Sequence, residues 1–320
     1  MKRKKRFRTN EMLTESHWPR YQLSYFMDRF FFRQWLSVFC VLVLTGCNSR
    51  PQVSALLPNQ SQAPPIRFLL TFDDGPSAAT HNNPTLRILD VLAQNKIQPN
   101  VKAIFFVQTR AIRGGGTEVG HTILRREHAE GHLLAFHTAT RQHANHRLLQ
   151  SDNLESSLKL GIEDLNAVCG KTPQLVRPPF WNYSALTLDS YHRHGLHMLL
   201  TDLSANDGVI HGVDWSLRKR SNLLMQLRRA KVGWADGSIP TVDGNTPIVV
   251  TFHDVNNYSA RNIELYMRIL LDIARELNMP VAAKPFYDDR VELEKAALAR
   301  TVRDTDSKPY LPGIWSWLWQ

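Results

Sequence analysis

The chain has 320 residues, enough for one large α/β domain, and its 43% hydrophobic and 21% charged composition excludes wholesale disorder. Its net charge of +10 is concentrated at one end: residues 1–34 carry nine basic and three acidic side chains, a net +6, which leaves +4 for the rest. The basicity is therefore that of a leader, and a nucleic-acid-binding body is excluded as its source.

Behind this basic stretch, Trp35 to Gly46 is apolar and uncharged and runs into Leu44-Thr45-Gly46-Cys47. Basic residues, then about 12 apolar ones, then small residues describe a secretory signal, too short to span a bilayer. The tetrapeptide resembles the lipobox of bacterial lipoproteins. Residues 1–46 are thus expected to be a lipoprotein-type signal peptide, with Met27 as an alternative start, and Cys47 to be the lipidated residue. Asn48, rather than Asp, follows that cysteine, which by the same resemblance implies an outer-membrane address facing the periplasm. Cys40 leaves with the leader and Cys169 stays unpaired, so no disulfide framework is expected. Residues 47–65 are rich in Pro, Gln, Ser and Asn and read as a flexible tether.

From Ile66 onward, short apolar runs alternate with helical patterns. The expected strands are Ile66–Phe72, Ala103–Val107, Leu133–Phe136, Leu175–Arg177, Met198–Thr201, Ile248–Phe252 and Val281–Ala283. Asn153–Val168 and Ala260–Leu277 place apolar residues on one face and read as amphipathic helices. Gly114–Gly116 and Gly233–Pro247 read as loop insertions, and the Trp-rich tail Trp315–Trp319 reads as docking onto the body. About seven strands joined by helices imply parallel pairing, hence an α/β barrel or a doubly wound sheet.

Chemistry concentrates where these strands end. Thr71-Phe72-Asp73-Asp74-Gly75-Pro76-Ser77 closes the first strand with two adjacent carboxylates and a sharp turn that can bring both into one cleft. His137-Thr138 follows the third strand, Arg177-Pro178-Pro179-Phe180 the fourth, and His253-Asp254 the run Ile248–Phe252. Ionisable residues at the C-terminal ends of successive parallel strands are where α/β barrels build active sites. A carboxylate with two imidazoles is a suitable ligand set for catalytic Zn²⁺, which activates water and polarises a carbonyl.

From Ile66 to Pro285 the sequence resembles the polysaccharide deacetylases of NodB-homology type, carbohydrate esterase family 4. Thr71–Pro76 matches the first family motif, Arg177–Phe180 the third, and Val249–Asp254 the fifth. The resemblance implies a distorted (β/α)7-type barrel as a single catalytic domain over 66–300, with residues 301–320 as a C-terminal tail. It implies Asp73 as general base, Arg177 as the partner that orients it, His253 as general acid, and Asp74 and His137 as metal ligands. Pro178, Phe180 and Trp181 are the expected substrate contacts. The implied cofactor is a divalent metal, Zn²⁺ first, with Co²⁺ and Ni²⁺ as alternatives. The implied partner is an acetylated polysaccharide, with N-acetyl groups the leading target, besides the membrane reached through Cys47.

Two motifs depart from the family pattern. His137-Thr138-Ala139-Thr140 is followed by Arg141 where the second motif has its second His, so that ligand is assigned to His143, with His146 or an altered metal site as alternatives. Thr201–Gly208 lacks the usual aromatic of the fourth motif, leaving Asp202 and Asp207 open between a site role and plain loop carboxylates. The remaining histidines read as structural. A non-catalytic glycan-binding lipoprotein, and a deformylase-like hydrolase of another sugar amide, are the competing functions.

Overall fold

The computed structural model describes residues 63–208, 219–304 and 311–312. All lie in one of two compact units, Asn59–Gln320; the other, Met1–Pro58, falls outside the described residues, as do Cys47, most of the tether and Trp315–Trp319. In chain order the elements are β1 (Ile66–Asp73), α1 (Pro84–Ala93), β2 (Ile104–Gln108), α2 (Glu118–Ala129), β3 (Leu133–Thr138), α3 (Ser151–Cys169), β4 (Leu175–Val176), α4 (Ala185–Arg193), β5 (His197–Met198), β6 (Leu203–Ser204), α5 (Lys219–Ala235), β7 (Thr246–His253), α6 (Asn257–Glu276), β8 (Val281–Phe286) and α7 (Arg290–Ala299).

Every strand pairing is parallel, in the order β5-β4-β3-β2-β1-β7-β6, with β8 also paired to β1. The sheet curls into a half-barrel with helices outside, the (β/α)7-type architecture expected from the sequence. β1 is buried along all eight residues, as a central parallel strand covered on both faces must be, which explains its unbroken apolar run. Its register with β7 runs from Ile66–Thr246 to Asp73–His253, so two candidate catalytic residues end neighbouring strands side by side.

Local chemistry sets where the helices begin near these strand ends. Asn83 caps α1 through Leu86 N, Thr117 caps α2 through Gly120 N, and Asn256 caps α6 through Tyr258 N and Ser259 N. Gly170, at φ 62°, closes α3 in the left-handed conformation that favours glycine. α3 approaches β3 closely at Gly161, where an added Cβ would lie 2.0 Å from Phe136 Cε2. Gly161→Ala is therefore expected to destabilise the fold by about 1–3 kcal/mol despite the better helix propensity of alanine, read as a lowered denaturant midpoint.

Two sequence expectations are corrected. The run Met198–Thr201 is not one strand: β5 ends at Met198 on one edge of the sheet, and β6 starts at Leu203 on the opposite edge. Residues 199–202 cross between the edges, with Leu199 N bonded to Val176 O and Asp202 N to Val249 O. An apolar run that must close a curled sheet looks like a strand in sequence, although its backbone serves two different ladders. The loop assigned to Gly233–Pro247 is also shorter than expected. α5 continues through Gly233 and Trp234 to Ala235, and β7 already begins at Thr246. Trp234 is buried and its indole donates to Pro64 O at 2.7 Å, holding the helix end against the start of the domain.

Candidate active site

The turn after β1 positions the two carboxylates. Asp73 is the last strand residue, whereas Asp74 has φ 74°, a left-handed conformation that costs a non-glycine residue about 1–2 kcal/mol. Gly75 leaves no room for a side chain, because a Cβ there would lie 2.0 Å from Asp254 Oδ2, and the Gly75–Pro76 bond is cis. The backbone thus reverses immediately after Asp73, and the adjacent carboxylates acquire separate partners.

Asp73, 2% exposed, meets Arg177 Nη1 at 2.7 Å. The Arg177 guanidinium is fully buried: it donates to Thr71 Oγ1 at 2.6 Å and to the carbonyls of Leu199 and Leu200 at 2.9 Å each, over the Phe106 ring. Burial lowers the Arg177 pKa, and Asp73 opposes that shift. The carbonyl oxygen of Arg177 accepts a hydrogen bond from His137 Nδ1 at 2.7 Å. One residue therefore orients both the carboxylate at the end of β1 and the imidazole in β3.

Asp74 Oδ1 lies 3.2 Å from His137 Nε2 and 3.3 Å from His143 Nε2, and these two nitrogens are 3.1 Å apart. Asp74, His137 and His143 form a group whose ligand atoms all lie within 4.8 Å of one another. The donor chemistry suits a divalent cation. A carbonyl only accepts, so Nδ1 of His137 carries the proton, and in the neutral ring Nε2 turns a bare lone pair toward a carboxylate. A cation between these atoms resolves that repulsion. Burial pushes the Asp74 carboxyl up, but a hydrogen bond from His137 and the positive charge that His143, His253 and His137 carry when protonated overcome this and hold it far below the usual range. Burial lowers His143 to about 4, so its ring is neutral and able to ligate near neutral pH.

On the other side of Asp74, His253 Nε2 stands 3.9 Å from Oδ2. Its Nδ1 is 2.8 Å from Asp207 Oδ1, and its backbone N–H donates to Asp207 Oδ2 at 3.1 Å. Ser259 and Asn256, at the start of α6, also bind Asp207 through its carboxylate and its carbonyl. Burial would lower the His253 pKa, but the Asp207 charge and hydrogen bond prevail, and Asp74 adds to them, raising it to about 10.

Asp73, Asp74, His137, His143, Arg177 and His253 are therefore brought together. His146 is not: it is fully buried, with Nδ1 2.8 Å from the Tyr191 hydroxyl and its ring stacked on Phe136. Phe180 is 38% exposed and packs its ring 4.5 Å from that of His143, whereas Pro178 and Trp181 are buried. Trp181, expected at the substrate, is 5% exposed and packs in the main core. Both aromatics have positive φ, 60° and 53°, strain of the kind found where a site dictates backbone shape.

Two site residues escaped the sequence reading. Gln108 Nε2 donates to Asp74 Oδ1 at 3.2 Å, and its amide carried no ionisable signal. Asp207, left open beside Asp202, is the partner of His253; Asp202 instead accepts from Val249 N and pairs with Arg300, away from the cluster. In the fold the Asp207 carboxylate follows β6, the strand paired directly with the one that ends in His253.

A family model described as polysaccharide deacetylase matches residues 60–199. A chitin deacetylase of Pestalotiopsis sp is 32% identical over 144 residues, covering 45% of this chain and 44% of that one. A chitooligosaccharide deacetylase of Rhizobium leguminosarum bv. trifolii is 35% identical over 148 residues, covering 45% and 60%. A peptidoglycan-N-acetylglucosamine deacetylase of Bacillus cereus is 35% identical over 111 residues, covering 35% of each. The chain thus spans from about a third to three fifths of the length of these relatives. The solved chitin deacetylase of Colletotrichum lindemuthianum superposes with a TM-score of 0.50 at 22% identity, covering 68% of this chain and 85% of that one, a likeness of fold. Over residues 60–199 and the matched stretches of these relatives, the chain is therefore similar to polysaccharide deacetylases.

Proposed function

We propose that the chain hydrolyses acetyl groups, N-acetyl in the first place, on a polysaccharide of the cell envelope or its surroundings. The observation that carries this reading is the convergence of Asp74, His137 and His143 between two buried ion pairs, Asp73–Arg177 and Asp207–His253. A divalent metal held by those three residues, Zn²⁺ in the first place, supplies a Lewis acid that polarises the acetyl carbonyl and activates water. Asp73, oriented by Arg177, takes the proton of the attacking water. His253, protonated in the neutral range, gives a proton to the departing sugar nitrogen. Phe180 offers an exposed aromatic face beside the cluster for a sugar ring. The relatives named for chitin, chitooligosaccharide and peptidoglycan N-acetylglucosamine deacetylation support an amino-sugar polymer as substrate.

The sequence of the leader supports an address. Lipidation at Cys47 would tie the domain through its tether to the outer membrane, on the periplasmic side. Among the described residues no helix is long and apolar enough to cross a membrane.

The test is acetate release from N-acetylglucosamine oligomers and peptidoglycan fragments, with added Zn²⁺ or Co²⁺ and with chelator. Chelator-sensitive release is expected, and its absence on all these substrates would overturn the reading. Asp207→Asn adds a check on the acid. In the folded chain His253 titrates above its ordinary value, so the stability it gains is complete below about pH 6.5 and is lost as pH rises through about 10. Removing the Asp207 charge should move the alkaline limb of the kcat/KM profile to lower pH by at least about one unit. An unmoved limb would remove His253 from the acid role.

A further inference from the structure

Next to the ligand cluster, the connections β2–α2 and β3–α3 open into a trough of about 740 Å³ between α2 and α3. The two connections are stitched together by Thr109 N–Thr138 O at 3.0 Å and Ile112 N–Arg141 O at 3.4 Å. The β3–α3 connection also carries His143, and the β2–α2 connection starts right after Gln108 and lines the trough from Thr109 onward, so both connections link the trough to the ligand cluster.

We propose that this trough binds an anionic group, a carboxylate or a phosphate, borne by the glycan whose acetyl groups the neighbouring centre removes; it rests on the deacetylase reading for the identity of that polymer. Arg110, Arg125 and Arg141 line the trough against one carboxylate, Asp164. Arg110 is committed to Asp164, with Nε and Nη2 at 2.7 and 2.8 Å from the two oxygens, so that pair forms a neutral wall. The Arg125 side chain is 59% exposed, and its Nη2 donates to Thr122 Oγ1 at 3.1 Å and lies 3.5 Å from Glu118 Oε1, which leaves Nε and Nη1 without a partner among the described residues. The Arg141 guanidinium is exposed and has no hydrogen bond or ion pair among the described residues. Two guanidiniums with free donor edges thus remain in one concavity, and their fork matches carboxylate or phosphate.

Apolar side chains complete the lining. Ile112, 53% exposed, forms part of the rim, a surface suited to the carbon face of a pyranose ring, while buried Leu124 and Leu165 back the trough from the core. A cationic groove with low-dielectric walls concentrates an anionic polymer beside the centre that acts on it. The loop sequence fits this arrangement. The six-residue step from His137 to His143 keeps an imidazole at the ligand cluster while leaving position 141 free to place an arginine in the trough.

The test titrates the purified chain with N-acetylglucosamine hexamer, its C6-carboxylated counterpart, its C6-phosphorylated counterpart and a single-stranded oligonucleotide. Binding is read by calorimetry in chelator, and acetate release is read separately with Zn²⁺. The carboxylated or phosphorylated hexamer should bind at least about tenfold tighter than the neutral one near ~50 mM salt. That preference should vanish near ~500 mM salt and in the double variant Arg125→Gln/Arg141→Gln, whose unfolding midpoint serves as the folding control. Which hexamer carries the preference tells carboxylate from phosphate. Equal affinity for neutral and anionic hexamers, a preference retained in the folded double variant, or equally tight oligonucleotide binding would each overturn the proposal. Guanidinium-dependent binding without any acetate release would uphold the trough and sink the deacetylase reading. Acetate release without anionic preference would do the reverse.

Discussion

Asp74→Asn is expected to reduce acetate release by at least about 10³-fold and to remove stoichiometric divalent metal from the purified chain, measured by elemental analysis. Asn is the informative replacement because Asp74 sits at φ 74°, and asparagine is among the few residues that tolerate the left-handed region. The turn is therefore expected to survive, as is the contact with Gln108, whose amide can meet the asparagine carbonyl oxygen. What disappears is the charge against which His137 and His143 converge. Retention of full metal content and full activity in a folded Asp74→Asn chain would show that these side chains hold no catalytic metal. Loss of activity with metal retained would place Asp74 in another role.

Arg177→Met is expected to destabilise the domain by about 3–5 kcal/mol and to abolish activity. The methionine fills similar volume over Phe106, so the loss comes chiefly from electrostatics. Asp73 keeps its burial without a countercharge, while Thr71 and the carbonyls of Leu199 and Leu200 lose their donor. Arg177→Lys should recover little of this, because one ammonium cannot reproduce a fork that serves four acceptors in three directions. Denaturant unfolding of the three chains checks both statements, and a loss below about 1 kcal/mol in Arg177→Met would contradict them. Substituting Asp73 as well should relieve part of the penalty, since the remaining partner is then uncharged.

The parts legible in sequence were those whose physics is local. β1 shows as an unbroken apolar run because it is buried throughout, and the carboxylates show because Asp-Asp-Gly-Pro can only be a turn after such a strand. α3 and α6 match the expected helices within a few residues, since each buries a single apolar stripe. α5 was missed because its apolar positions are diluted by Gln226, which is buried and donates no apolar signal while its Oε1 accepts from Ser204 N. The geometry at His143 was reachable but not decidable. On a helix the six-residue step from His137 would turn the second ring away, and only the loop made by the Thr138–Thr140 hydroxyl contact and the bends after it brings the ring back. Asp207 was undecidable for a different reason. Its pairing with His253 spans two strands that touch only in the folded sheet.

The crossing of residues 199–202 also sets where the barrel can breathe. Between β5 and β6 there is no backbone ladder among the described residues, and the side chain of Arg177 stands in that gap, bonded to the carbonyls of the crossing segment. Local opening follows the line with fewest main-chain bonds, so amide protons there should exchange sooner than those of the β1–β7 ladder. Opening that line parts Arg177 from Asp73. The first fluctuation of the scaffold would therefore switch off the base before any strand is lost.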